Sequence, residues 1–531
     1  MVVKKNINHI KSAIDLYSGI GGWTLGMKLS GVKNIASFEW WKEANLTHNL
    51  NFETKNEEIN IRDIDVKSDL KFDANIDFVV GSPPCTQFSY ANKGGNGNVQ
   101  DGLLDIYKFL EVVEFLKPQY WAMENVPRVA KILEIELNGG CLNRFKKLIK
   151  VIKIVNTADY GVPQNRKRMI AGDFPVSLFE SYKSKIKVVT LGDVLNSLNK
   201  KIIVDPNYKY EIPRDDVTEL DNEVDLTLDE VRINKDSKTF HPVYNKMAFP
   251  DKLDRPGRTI TATCTRVSRE SIIIESNNGF RRLNVRERGV LQGFPITYQF
   301  YGRTLSSKFK MIGNAVPPIL SYYIFQCMLD VKANDIKPPK ESPYFHKKPS
   351  CNADKPNLGF PKKKYPANRK FQFSVPNLRY GSGVRFELSN NPKTKSKDWS
   401  FKFFYGNSKN IKQIPLDEKL INYLSPFLNT SIIEIFTVCI EKIIKQYENI
   451  SSSKMQEFWI SINDNNEVFQ FLDHVGNCVN EITNDASLHE IKSDLIEKIV
   501  NERNKKLNEN KESIFVGFYF LSILNKRIFK Q

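Results

Sequence analysis

Four short apolar runs, each cut off by a glycine turn, a carboxylate or a proline pair, constrain this chain more than any other feature. Residues 12–16 run into Tyr17-Ser18-Gly19-Ile20-Gly21-Gly22-Trp23, and residues 34–38 stop at Glu39-Trp40. Residues 76–80 run into Gly81-Ser82-Pro83-Pro84-Cys85-Thr86-Gln87-Phe88-Ser89, and Tyr120-Trp121-Ala122-Met123 ends at Glu124-Asn125-Val126-Pro127. Apolar runs of that length read as buried strands, which predicts an α/β fold built on a parallel sheet. Open sheets of this kind bind ligands beyond the carboxyl ends of their strands.

Cys85 sits at such an end. Two prolines stop the ladder just before it and fix the backbone, so the chain must leave the sheet there. Most single cysteines are inert core residues, and it is the company Cys85 keeps that reads as chemistry. The glycine turn after residue 16 lets the backbone approach a nucleotide-like ligand, yet it has neither dinucleotide spacing nor a P-loop lysine, which disfavours NAD and ATP. Glu39 can accept both hydroxyls of a ribose, and Trp40 can stack on an adenine. Asp63, read as a third strand-end acid, can take an exocyclic amine. Each alone is an ordinary loop residue; together they describe an adenosine pocket. The glycine-rich stretch Gly94-Gly95-Asn96-Gly97, within residues 89–101, reads as a loop that closes over a substrate.

Further blocks follow in Gln164-Asn165-Arg166-Lys167-Arg168, in Arg286-Glu287-Arg288 with Gln292-Gly293-Phe294-Pro295, and in Gly313-Asn314-Ala315-Val316-Pro317-Pro318. With residues 15–23, 38–40, 63–64, 81–89 and 124–126, these eight blocks resemble, in order, the cytosine-C5 DNA methyltransferases of bacterial and archaeal restriction–modification systems. The resemblance covers roughly residues 10–330, and Tyr17 stands where the family usually has phenylalanine. It implies a Rossmann-like S-adenosylmethionine-dependent core with a small target-recognition domain. It assigns nucleophilic attack on cytosine C6 to Cys85, contact with N3 and the exocyclic amine to Glu124, and orientation of base and carboxylate to Arg166 and Arg168. Cofactor contacts would come from Asp15, Tyr17, Gly19, Gly21, Gly22, Glu39, Trp40, Asp63, Ile64, Pro83, Asn314 and Val316. The target base lies inside a stacked duplex and would have to be flipped out. Ser89, Arg266, Arg269 and Arg286 are read as DNA-binding; for Arg266 and Arg269 a phosphate-contacting loop without base specificity is an equal alternative.

The implied division is a catalytic core at 1–172, a recognition region at 173–270, its remainder and the return to the core at 271–330, a linker at 331–370 and an accessory α+β domain at 371–531. In the recognition region, residues 258–264 read as a β-branched strand leading to the two arginines. The linker holds seven prolines and eleven Lys or Arg against three acids, Lys347, Lys348, Lys362, Lys363 and Lys364 among them. Beyond it, residues 370–376, 383–388 and 399–405 alternate as strands, 416–447 and 488–507 show helical periodicity, and 514–529 reads as a packed apolar helix. Glu490-Ile491-Lys492 resembles part of a nuclease signature without its upstream partner.

A net charge of +17, from 78 Lys and Arg against 61 Asp and Glu over 531 residues, suits a polyanionic partner, here double-stranded DNA. Seven cysteines without disulfide spacing suit a reducing cytoplasm, and six scattered histidines show no metal-ligand spacing. No signal-peptide pattern or membrane-length apolar run is present, a monomer is expected, and a cognate restriction endonuclease would act separately. Two alternatives share the fold: a tRNA cytosine-C5 methyltransferase, and a catalytically silent DNA-binding protein. The second would be expected to have lost Cys85, Glu124 or Arg166, and all three are present.

Overall fold

Alternation within the apolar runs decides how the sheet is covered. In the run ending at Gly81, Phe78 and Val80 join one buried cluster with Trp23 and Phe325, while Val79 joins another with Phe109 and Met123. Apolar residues on both faces demand helices on both faces, as parallel sheets do. The computed structural model describes residues 10–73, 75–88, 97–220, 223–239, 247–340, 368, 370–381, 383–394, 398–407, 410–448, 450–460, 466–484, 493–500 and 505–529. It divides into two units, 1–225 with 250–357, and 226–249 with 358–531.

The first unit opens with β1 (Ser12–Leu16), α1 (Gly22–Leu29), β2 (Lys33–Phe38), α2 (Lys42–Phe52), β3 (Phe78–Gly81), α3 (Val99–Leu116), β4 (Tyr120–Asn125), α4 (Arg128–Leu137), β5 (Val151–Asn156) and β6 (Lys167–Asp173). The six strands form one sheet in the order β2-β1-β3-β4-β6-β5. Strands β1 to β4 pair in parallel, and β6 runs antiparallel to both β4 and β5. This is the expected α/β, Rossmann-like architecture. Asp63 departs from its reading: it lies on a single 3-10 turn, Ile61–Asp63, preceded only by an isolated bridge between Glu58 and Glu39.

After the sheet come α5 (Val176–Ser181), α6 (Leu191–Leu198) and a small hairpin of β7 (Ile202–Val204) and β8 (Glu211–Pro213). Helix α7 (Leu228–Thr239) belongs to the second unit. The chain then returns to the first through the hairpin of β9 (Ile273–Ser276) and β10 (Gly279–Arg282), followed by α8 (Val285–Leu291), α9 (Leu305–Asn314) and α10 (Pro318–Met328). Residues 258–264 form no strand despite their β-branched composition. Their backbone is held instead by Gln164, whose Oε1 accepts from Ile260 N at 2.7 Å, and by Thr259 Oγ1 donating to Asn165 O at 2.7 Å.

Helix α10 packs on α1, bringing the block at 313–318 back to the sheet. Ser321 Oγ donates to Gly22 O at 2.7 Å, and the Trp23 and Phe325 rings meet edge-on at 6.1 Å. A Cβ on Gly22 would lie 2.1 Å from Val316 O, a backbone atom that cannot swing away. Gly22→Ala is therefore expected to cost about 1–3 kcal/mol as an overpacking change, read as a lowered thermal midpoint. Gly19→Ala, with no neighbour within 4 Å of its Cβ, would carry only the strain of its φ of +55°.

The second unit is an antiparallel sheet of β11 (Gln372–Arg379), β12 (Arg385–Asn390), β13 (Trp399–Asn407) and β14 (Asn410–Pro415), in that order. Phe386, Leu388, Phe401 and Phe403 point into its core. Helices α11 (Glu418–Leu424), α12 (Thr430–Gln446), α13 (Ser452–Ile460), α14 (Asn466–Thr483), α15 (Ser493–Val500), α16 (Lys505–Glu509) and α17 (Lys511–Leu524) complete it. The helical period over 416–447 is split because Pro426 ends α11. From Ile514 on, helix α17 is apolar and buried on nearly every side, as the sequence predicts. Helix α7 joins this core from the middle of the chain. Ile233 packs against it, and Arg232 lies 4.5 Å over the Phe469 ring while its Nη1 donates to Asp473 Oδ2 at 2.7 Å. The linker lysines Lys347, Lys348, Lys362, Lys363 and Lys364, and Glu490-Ile491-Lys492, lie outside the described residues.

Candidate active site

Neighbouring strands β3, β4 and β6 each contribute one part of the site. Cys85 follows β3, half-buried, on a turn closed by Phe88 N donating to Cys85 O at 3.0 Å. Asn125, at the end of β4, steadies that turn by donating from Nδ2 to Pro83 O at 3.0 Å. Glu124 is the residue before it, buried, and paired in register with Ile170 of β6. Two residues back on β6, Arg168 reaches across, its Nε 2.7 Å from Glu124 Oε1. Of the two arginines read as orienting base and carboxylate, Arg168 is the one that pairs with Glu124.

Arg166 does something different. It is 2% exposed, and its terminal nitrogens donate to Ile260 O at 2.9 Å and Gly313 O at 2.8 Å, stitching the recognition region and the returning block to the sheet. Its Nε is buried without a partner. Burial, reinforced by the charge of Arg168, lowers its pKa to about 9. Burial likewise pushes the Cys85 thiol up, while the cations Arg168 and Arg166 pull it back and Glu124 opposes them. The site thus keeps a neutral thiol at rest beside two guanidinium groups able to stabilise a thiolate.

The adenosine pocket of the sequence reading centres on the turn between β1 and α1. Tyr17 and Gly21 take positive φ values of 58° and 86°, turning the backbone sharply enough to aim α1 at the strand end. Glu39 is buried and clamps this turn, Oε2 accepting from Gly19 N at 2.8 Å and Oε1 from Trp41 N at 2.7 Å. Burial raises its pKa above the usual carboxylate range. The Trp40 ring beside it is 62% exposed, open to stacking. Asp15 is fully buried and pushed up to about 8 by desolvation; Thr24 Oγ1 donates to one of its oxygens at 2.9 Å, and the other has no partner. Ser18 Oγ is also buried and unpartnered. Trp23 Nε1 donates to Ser82 Oγ at 3.1 Å, tying this turn to the strand end that bears the cysteine. An open aromatic face, a carboxylate at a glycine turn and two orphaned oxygens fit a nucleoside ligand.

Of the remaining candidates, Ile64, Pro83 and Val316 are buried and Asn314 is exposed. The Asp63 carboxylate accepts from Asn60 Nδ2 at 2.9 Å. Ser89 and residues 90–96 lie outside the described residues. Two DNA-binding assignments are corrected. Arg266 is 5% exposed, its Nη2 donating to Asp225 O at 2.7 Å and its Nη1 to Val224 O at 3.1 Å, beside the Glu223 carboxylate. Arg286 is wholly buried, bonded to the carbonyls of Thr218 and Tyr298. Both guanidinium groups are spent inside the protein. Arg269 is half-buried and pairs with Glu270 at 3.0 Å. Sequence reasoning assigned no role to Asn125 or Trp23, although both lie inside the blocks it used.

Residues 12–330 match the family profile described as C-5 cytosine-specific DNA methylase. The chain belongs to that family. The match spans both the sheet and the returning helix α10. Among relatives, the type II methyltransferase M1.HphI of Haemophilus parahaemolyticus is 27% identical over 61% of this chain and 87% of its own length. The type II methyltransferase M.FnuDI of Fusobacterium nucleatum is 26% identical over 62% of this chain and 97% of its own. A solved structure of a putative DNA modification methyltransferase encoded within an E. coli prophage is 23% identical, with a TM-score of 0.46, over 60% of this chain and 99% of that one. Among the described residues, no helix is long and apolar enough to cross a membrane, and no cluster of three or more His, Cys, Asp or Glu side chains is placed to hold a metal.

Proposed function

We propose that this methylase modifies C5 of a flipped cytosine at a specific site in double-stranded DNA, using S-adenosylmethionine, within a restriction–modification system. The observation that carries the reading is that Cys85 follows β3, the strand next to β4, whose Glu124 pairs with Arg168 of β6, and feels the charge of both groups. Cytosine C5 is a poor nucleophile unaided. Once the Cys85 thiol has given its proton to solvent, attack of the thiolate forms a bond from Sγ to C6 and pushes an electron pair toward N3, leaving C5 enamine-like. Glu124, held by Arg168, binds the N3 edge where that charge collects. S-adenosylmethionine, when bound, would supply the electrophilic methyl group to C5 and leave as S-adenosylhomocysteine. The C5 proton then leaves to a base, the C5–C6 double bond re-forms and Cys85 is expelled as thiolate. Glu39, Trp40, Asp63 and the turn from Tyr17 to Gly22 would hold the nucleoside end of the cofactor.

Flipping costs a few kcal/mol, and the charge of +17 supports the affinity for DNA that must offset it. Type II relatives support the restriction–modification setting, with a separate endonuclease as the expected companion. Bisulfite sequencing of DNA from a host expressing the wild-type chain should reveal one methylated sequence that is absent when Cys85→Ser is expressed. Unmodified DNA in both hosts would overturn the reading. For the cofactor, Glu39→Ala should weaken S-adenosylmethionine binding about tenfold to a hundredfold, the loss of a charged acceptor being worth roughly 1.5–3 kcal/mol. Calorimetric titration checks this, and an unchanged dissociation constant would mean the pocket lies elsewhere.

A further inference from the structure

Arg62 stands next to Asp63 but turns away from it, into a pair of aspartates on the first turns of α3. Its Nε and Nη2 donate to the two carboxylate oxygens of Asp105 at 2.9 and 2.7 Å, a forked contact. Its Nη1 donates to Asp101 Oδ1 at 2.9 Å, and Nη2 also reaches Asp101 O at 2.8 Å. Each aspartate has a second partner. The Tyr17 hydroxyl, from the glycine turn, donates to Asp105 O at 3.1 Å and lies 3.3 Å from Asp105 Oδ1. Gln87 Nε2, two residues beyond the nucleophile, donates to Asp101 Oδ2 at 3.2 Å. Gln87 Oε1 in turn accepts from Asn98 N at 2.9 Å, and Asn98 Oδ1 caps α3 by accepting from Asp101 N at 3.2 Å.

The space around this clasp is tight. A Cβ on Gly97 would meet Gln87 O at 2.3 Å, and one on Gly102 would meet the Phe88 ring at 2.6 Å. The residues just after Cys85 and those leading into α3 therefore move together or not at all. One guanidinium joins that clasp to both ends of the nucleoside pocket, to the glycine turn through Tyr17 and to the Asp63 turn through the backbone. Packed and hydrogen-bonded contacts of this kind can carry a coupling free energy between two sites.

We infer that Arg62 is a positioning residue that couples occupancy of the cofactor pocket to the placement of Cys85, through Asp101 and Gln87. The inference rests on the proposed assignment of the pocket to S-adenosylmethionine. Any shift in the Asp63 or Tyr17 turn on binding is passed by the forked contact to α3, and from Asp101 to the segment that bears the thiol. A lysine could hold one aspartate but not both in this geometry.

The test uses the full chain and needs no knowledge of the target sequence. Alkylation of Cys85 by iodoacetamide is followed by mass spectrometry, with and without saturating S-adenosylhomocysteine. In the wild type the ligand should change the Cys85 labelling rate by about fivefold or more, the lower end of typical coupling. Arg62→Gln should bind S-adenosylhomocysteine within about threefold of wild type, as a residue that does not touch it, yet lose the ligand dependence of labelling. Gln87→Leu, which cuts the same path at its other end and leaves Arg62 with both aspartates, should lose it too. Simple shielding of the thiol by bound ligand would persist in both variants, and that result overturns the inference. A wild type that binds the ligand with no change in labelling overturns it as well, leaving the cofactor assignment intact. Failure of the wild type to bind the ligand at all removes that assignment, and the inference with it.

Discussion

Replacing Cys85 with serine should lower methyl transfer by at least about a thousandfold, because a hydroxyl in this site has no means of reaching the charged form that attacks C6. Affinity for S-adenosylhomocysteine should stay within about threefold, since the buried Glu39 clamp and the open Trp40 ring belong to other strands. DNA containing 5-fluorocytosine, whose C5 substituent cannot leave as a proton, should trap a covalent adduct with the wild type and none with Cys85→Ser. A variant that incorporates labelled methyl groups at the wild-type rate would remove Cys85 from the mechanism. The resting thiol gives a companion result. Burial outweighs the pull of Arg168 and Arg166, so its pKa is raised and the thiolate fraction falls below that of free cysteine. Alkylation in the absence of DNA should thus climb with pH past the ordinary thiol value of about 8.5, by up to about tenfold per unit. A labelling rate already at its plateau near neutral pH would show that the site activates the thiol before substrate arrives.

The second large effect concerns where the chain can be cut. A stop after residue 335 removes the whole core on which α7 packs and leaves that helix attached in mid-chain with Ile233 and Arg232 stripped of their partners. Most of such a protein should be insoluble or clipped within 226–249. Both ends of the insertion are anchored to the same strand: Ser276 Oγ donates to Asp225 Oδ1 at 2.5 Å, and Asp251 N to Ile273 O at 2.8 Å. These anchor points are three residues apart on β9, about 10 Å at the rise of a strand, so a short Gly-Ser bridge can replace 226–249. The stop combined with that bridge should be soluble, folded by circular dichroism, and should methylate the same sequence as the full chain. Its DNA affinity should fall and depend less steeply on salt, through loss of the linker lysines. If the simple truncation proves as soluble as the bridged one, α7 does not depend on the second unit. A folded bridged protein that methylates a different sequence would mean the second unit helps choose the target.

What was legible in the sequence was whatever local punctuation encodes. The strand before Cys85 and the strand carrying Glu124 show as apolar runs because both faces of the sheet are buried, and the prolines and glycines that end them sit where the chain leaves the sheet. Burial decided by distant partners left no such mark. Residues 258–264 carry strand-like composition yet are held by Gln164 and Asn165, nearly a hundred residues earlier, in place of a ladder. Arg266 and Arg286 read as DNA contacts, and only the fold reveals that Glu223 and main-chain carbonyls take up their guanidinium groups. Asp63 reads as a strand-end acid, but a 3-10 turn carries it. Helix α14, amphipathic but broken up by Asn, His and Gly, gave too weak a period to be seen, and α7 looked like part of the recognition region because nothing within it names a partner more than two hundred residues away.

The docking of α10 on α1 sets an order of events during synthesis. Gly22 meets Val316 and Ser321, the latter 299 residues later, so the floor of the glycine turn is absent until nearly the whole first unit has left the ribosome. At about 5–20 residues per second that interval is roughly 15–60 s. Meanwhile the turn between β1 and α1 stands unsupported, with Trp23 and the apolar face of α1 uncovered. A nascent chain in that state should be a client for chaperones that hold exposed apolar helices. It should also gain methyl-transfer competence in one late step, after synthesis has passed residue 321.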